Sequence, residues 1–178
     1  MDELREQILN CKKCNLCNTR THAVPGEGNN NADIFLIGEA PGEREDIEGI
    51  PFCGRSGNLL TQMLNEIGIN REDIFITNIV KCRPPGNRDP EEDEIESCKP
   101  YLKLQIALVK PRIICTLGRY SSSLFVKDKI SKIHGQIFKF GKYTVIPLYH
   151  PAVGLYNPNM KKIMQEDFLK IKDFLKNS

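Results

Sequence analysis

Apolar residues fall along the chain in two alternating kinds of run. Leu4, Ile8 and Leu9 recur at helical spacing, so residues 2–10 read as a short helix. A polar, Gly- and Asn-rich loop covers 25–32. Asp33-Ile-Phe-Leu-Ile37 is instead a compact apolar block stopped by Gly38-Glu-Ala-Pro-Gly42, the pattern of a strand buried on both faces that empties into a tight loop. After an acidic loop, Leu59, Leu60, Met63, Leu64 and Ile67 mark a helix from Gly57 to Ile67, with Gly68 as its stop. The alternation then repeats. A second strand is expected at 73–80, a helix at 91–109, a third strand at 112–117, a helix at 118–126 and a fourth strand at 143–148. Residues 160–176 close the chain as a helix with Ile163, Phe168, Ile171 and Leu175 inward, and 133–140 offers a small edge strand.

Strands alternating with helices imply a parallel sheet covered on both faces. The expected fold is a single α/β domain over 1–178, a three-layer α/β/α sandwich about a mainly parallel, four-stranded central sheet. A chain of 178 residues fits one core of roughly 100 to 200 residues. Ligands of such sheets bind beyond the carboxyl ends of the strands. Those ends here hold Gly38-Glu39-Ala40, then Asn78 and Lys81-Cys82-Arg83, then His150-Pro151-Ala152. Three distant loops should therefore meet on one rim.

Composition narrows the chemistry. The chain is 40% apolar and 27% charged, and no apolar run approaches the roughly 18 to 20 residues that cross a membrane. Its acidic, amphipathic start shows no secretory leader, so a cytoplasmic protein without disulfides is expected. A net charge of +2 permits a nucleic-acid partner only where basic residues cluster. The seven cysteines stand at 11, 14, 17, 53, 82, 98 and 115, an odd count that points to metal binding by a subset. A C-x-x-C knuckle with Cys82 and Cys98 could complete a four-thiolate site, for zinc or an iron–sulfur cluster alike, with unliganded cysteines as the third alternative; the missing second C-x-x-C leans toward a cluster. Cys115, inside an apolar strand, reads as core. Singly, the other signals are weak. The Gly38–Gly42 loop lacks the spacing of a dinucleotide fingerprint or a P-loop. Glu43, Glu45, Asp46 and Glu48 read as a solvated loop, Phe52 as an anchor, Asn78 as a turn residue and His150 as an ordinary loop histidine.

Together they say more. Gly38-Glu-Ala-Pro-Gly-Glu-Arg-Glu-Asp46, Gly49-Ile-Pro-Phe-Cys-Gly-Arg-Ser-Gly57, Thr77-Asn-Ile-Val-Lys-Cys-Arg-Pro-Pro85 and His150-Pro-Ala152, in this order, resemble the family 4 uracil-DNA glycosylases over nearly the whole chain. The resemblance implies the α/β/α uracil-glycosylase fold and a [4Fe–4S] cluster, and it decides against zinc. In that family an arginine follows the C-x-x-C by six residues; Arg20 stands in that place, which assigns Cys11, Cys14, Cys82 and Cys98 as ligands and leaves Cys17 outside. Two positions depart from the pattern. Ala40 stands where glycine is common, a change that keeps a small side chain and the amide, so activity is expected to survive. Cys53 replaces the usual valine and suggests sensitivity to oxidants.

The implied function is base-excision repair: a monofunctional, monomeric enzyme, nucleoid-associated through its substrate, flips uracil from single- or double-stranded DNA and hydrolyses its N-glycosidic bond. Gly38, Glu39, Ala40, Glu45, Phe52, Asn78 and His150 would hold the base, with Phe52 stacking on it, Asn78 reading its edge and Glu45 excluding a thymine methyl group. His150 and the amides around Glu39 and Ala40 would stabilise the leaving anion, and the water would fall to Glu39 or to a water held by Asn87 and backbone carbonyls. Arg83, Arg88 and Lys161 would meet phosphates, and Leu155 or Tyr156 would fill the vacated stack. The competing reading is a metal-cluster-stabilised nucleic-acid-binding protein without glycosylase activity.

Overall fold

A computed structural model describes residues 1–177. Six strands form one sheet: β1 (Glu27–Gly28), β2 (Ile34–Gly38), β3 (Phe75–Asn78), β4 (Ile113–Leu117), β5 (Phe138–Phe140) and β6 (Tyr143–Leu148), in the order β1-β3-β2-β4-β6-β5. The expected four-stranded sheet is thus corrected to six. Its four central strands β3, β2, β4 and β6 are parallel as expected, and β1 and β5 add antiparallel edges. β5 falls within the segment read as an edge. β1 is two polar residues in a Gly-rich loop, too short to leave any alternation.

Eight helices accompany the sheet among the described residues: α1 (Asp2–Leu9), α2 (Glu43–Glu48), α3 (Arg55–Glu66), α4 (Glu92–Val109), α5 (Arg119–Ser123), α6 (Ile130–Ile133), α7 (Pro151–Tyr156) and α8 (Pro158–Asn177). Strand side chains alternate between the two faces. Phe35, Ile37, Phe75, Ile114 and Val145 join Leu4 and Ile8 of α1 and Leu102 and Ile106 of α4 in one core. Ile34, Leu36, Ile76, Ile113 and Ile146 join Leu60 and Met63 of α3 and Phe168 and Ile171 of α8 in the other. The three layers follow directly. Cys115 is fully buried in the second core, where burial raises its pKa, as its place in an apolar strand implied.

The acidic segment is not a solvated loop. It winds into α2, and Asp46 turns inward to accept the Thr21 amide with both carboxylate oxygens, at 2.9 and 3.1 Å. That contact ties the N-terminal cysteine segment to α2. On both sides of β2 the chain crosses over, first to β3 and then past it to β4. The rim of β2 is therefore open where crossovers diverge, the position at which such sheets bind ligands.

Candidate active site

The carboxyl ends of β2 and β3, the turn into α2 and the start of α7 enclose a cavity of about 440 Å³. Its wall includes Glu39, Ala40, Glu45, Phe52, Asn87, Arg88 and His150, seven of the residues given a role from the sequence, together with Ser56, Pro84 and Ala152, which entered only as parts of the motifs. Asn78 lies behind this wall. Its Oδ1 and the Cζ of Phe52 would stand 2.2 and 2.6 Å from a Cβ placed on Gly38, so both side chains pass directly over that glycine. Only a residue without a side chain fits there.

Asn78 is 1% exposed, and neither its Nδ2 nor its Oδ1 has a hydrogen-bond partner; among the described residues these are the only buried side-chain polar atoms of which this is true. A buried amide with both ends unmatched costs on the order of 1 to 3 kcal/mol per group, a cost that a bound ligand can recover. The backbone beneath it is firmly held. Lys81 is buried and spends all three ammonium donors, on Thr77 Oγ1, the Asn78 carbonyl and Gln105 Oε1, each at 2.7 Å. Desolvation lowers its pKa to about 7.

His150 caps α7 with its side chain: Nδ1 accepts the Ala152 amide at 3.2 Å. An accepting Nδ1 leaves the ring proton on Nε2, and burial lowers the imidazole pKa to about 4, so the ring is a neutral donor at physiological pH. Its ring lies 5.8 Å from that of Phe52. Burial, and then the nearby Asp89, raise the pKa of Glu39, opposed by Arg119. Burial also raises that of Glu45, against the amides of Gly42 and Phe52 that its carboxylate receives. The Oδ1 of Asn87 already accepts Arg83 Nε at 2.7 Å.

Of the expected DNA contacts, Arg88 is on this wall and Leu155 and Lys161 lie apart from it. The guanidinium of Arg88 is held by the Glu94 carboxylate at 2.6 and 2.9 Å, with its side chain still on the cavity wall. Leu155 and Lys161 line a separate groove between α3 and α7. Leu155 packs against the core, whereas Tyr156 is 76% exposed with the Arg55 guanidinium over its ring.

Beneath the rim a second, small cavity is walled by Cys11, Cys14, Cys82 and Cys98, and also by Cys17, Lys81 and Tyr101. Arg20, which entered only as a spacing marker, donates to Cys82 Sγ at 2.9 Å and to the carbonyls of Leu9 and Cys11. Burial raises the thiol pKa of Cys82, to about 11, and those of Cys14 and Cys98. Among the described residues no three His, Cys, Asp or Glu side chains gather closely enough to hold a single ion. The thiols instead face a shared space from α4, the segment after α1 and the loop after β3, a donor set that suits a polynuclear group whose ligands bind separate irons.

Residues 25–176 match the family model described as the uracil DNA glycosylase superfamily. A type-4 uracil-DNA glycosylase of Saccharolobus solfataricus is 52% identical over 98% of this chain and 86% of its own length. One of Sulfurisphaera tokodaii is 52% identical over 97% and 84%, and one of Thermotoga maritima 43% identical over 99% and 95%. On the family match, these identities and the fold together, the chain belongs to the uracil DNA glycosylase superfamily and groups with its type-4 members.

Proposed function

We propose that this protein excises uracil from DNA, and that the unmatched amide of Asn78 reads the base. That amide carries the reading: it is buried, its own main-chain carbonyl is held by Lys81, and both its polar atoms lack a partner. Uracil presents an N3–H donor and an O4 acceptor, which Oδ1 and Nδ2 satisfy together. Cytosine presents the reverse and leaves both pairs opposed, a penalty on the order of 1 to 3 kcal/mol or more. Extruding the nucleotide costs a few kcal/mol, and stacking on Phe52 returns roughly 1 to 3 kcal/mol. The ring of Phe52 rests over Gly38 beside the amide, so it moves aside as the base edge enters. Glu45, held by the Gly42 and Phe52 amides, lies on the wall where it bars a methyl group.

Bond cleavage leaves negative charge on uracil O2, and a neutral His150 supplies an Nε2–H to it, with the backbone near Ala40, like an oxyanion hole. For the water, Glu39 is the better acceptor: it has two carboxylate oxygens and a pKa raised by burial, whereas the Asn87 carbonyl is already taken by Arg83. Arg83 and Lys161 are assigned to phosphates, with Arg88 at the wall, and the exposed Tyr156 fills the stack in preference to the core-packed Leu155. None of the described residues that line the base cavity is a lysine, and Lys81 faces the cysteine cavity with all its donors engaged, which supports simple hydrolysis to an abasic site. Cys11, Cys14, Cys82 and Cys98 would hold a [4Fe–4S] cluster, which when bound is a structural cross-link. Those four residues join the N-terminal segment to the loop that leads to Arg83 and Asn87. Incubating the protein with an end-labelled uracil oligonucleotide, then alkali, should give cleavage at the uracil. An intact strand at stoichiometric enzyme would leave the non-catalytic binding protein as the better reading.

A further inference from the structure

Phe52 has a left-handed backbone, φ +50°. For an aromatic residue this conformation costs about 1 to 3 kcal/mol and persists only where its surroundings impose it. The surroundings here are one arginine and its carboxylate. Arg71, in the turn before β3, donates to the carbonyl of Pro51, to that of Phe52 at 3.2 Å and to Thr61 Oγ1 at 3.4 Å. Its other edge rests on Glu27 Oε1, with Nε at 3.2 Å and a terminal nitrogen at 2.8 Å. Glu27 is delivered by β1, whose register against β3 sets it opposite Ile76. The remaining side is closed by Gly57, where a Cβ would lie 1.7 Å from the Phe52 carbonyl oxygen. Neither Arg71 nor Glu27 lines the base cavity.

We propose that Arg71, oriented by Glu27, is a positioning residue that clamps the Pro51–Phe52 backbone in its left-handed turn, so that the ring pivots to meet the base while its anchor stays fixed. This rests on the reading of Phe52 as the stacking face. It also gives the two-residue strand β1 a role in catalysis.

The test is a double-mutant cycle on uracil excision with the full chain, using Arg71→Gln, Phe52→Ala and the pair, with inhibition by free uracil and the preference for uracil over cytosine as further readouts. Phe52→Ala should lower kcat/KM roughly ten- to a hundredfold, the range a lost stack implies. Arg71→Gln should weaken free-uracil inhibition and lower kcat/KM by at least fivefold while leaving the uracil preference intact, and should cost less than twofold once Phe52 is gone. Glu27→Gln, on a half-exposed side chain, should show the same pattern at smaller size and serves if Arg71→Gln fails to fold. An equal loss from Arg71→Gln or Glu27→Gln with and without Phe52 overturns the clamp alone. A harmless Phe52→Ala overturns the stacking reading, and the clamp with it.

Discussion

His150 shows how much a single residue's surroundings decide. The sequence gives a histidine after a strand, which is most often an unremarkable loop residue; the hydrogen bond from Ala152 to Nδ1 and the burial that takes its pKa to about 4 make it a neutral donor. The sign follows: a group whose folded pKa is depressed below its unfolded value stays uncharged until the pH nears 4, and between roughly pH 6.5 and 4 the unfolded chain binds the extra proton, so stability is lost as pH falls through that window. His150→Gln should therefore slow excision more than tenfold, about 1.4 kcal/mol of barrier, by a factor that is constant from pH 5.5 to 8. If that factor instead changes with a midpoint near 6.5, the imidazolium is the working form. Gly38 and Asn78 were legible as a strand-end glycine and a polar strand end, but not as a pair. That Phe52 and Asn78 cross above Gly38 depends on contacts between segments forty residues apart. Arg71 left no signal at all, being one charged residue in a polar turn.

At the level of elements, long apolar runs were readable and short polar ones were not. The four core strands and the helices α3, α4 and α8 follow from periodicity because burial on both faces, or on one stripe, requires it. β1 and α2 are built from polar residues whose reasons are tertiary: Glu27 meets Arg71, and Asp46 meets the Thr21 amide. The cysteines illustrate the same limit. Spacing left zinc and a cluster open; the wall shared by α4, the segment after α1 and the loop after β3 shows that five thiols, Cys17 among them, face one cavity. The assignment of four ligands is therefore sharply testable. Cys14→Ala should lose bound iron and visible absorbance, whereas Cys17→Ala, on the same wall, should keep both as measured by iron content per chain and by spectrum. Retention by the first or loss by the second would redraw the ligand set.

Across the whole molecule, the cysteine cavity is linked to the residue behind the base cavity by Lys81, which lines the former and holds the Asn78 carbonyl. Lys81, in the loop after β3, thus ties the cysteine cavity to the main chain of Asn78. This division of labour was partly legible: a parallel sheet places its ligand site at the strand carboxyl ends, and the residues there were chemically pointed. Of its edges, β5 falls in the segment offered as an edge strand, whereas the two-residue β1 left no pattern to read. The central claim is that the Asn78 amide selects uracil. Its most direct measurement is kcat/KM of Asn78→Asp on otherwise identical oligonucleotides carrying uracil or cytosine. A carboxylate keeps the shape but loses the donor to O4, so uracil excision should fall at least tenfold and the uracil-to-cytosine ratio should fall with it. Full-rate, strictly uracil-selective excision by that variant would contradict the account.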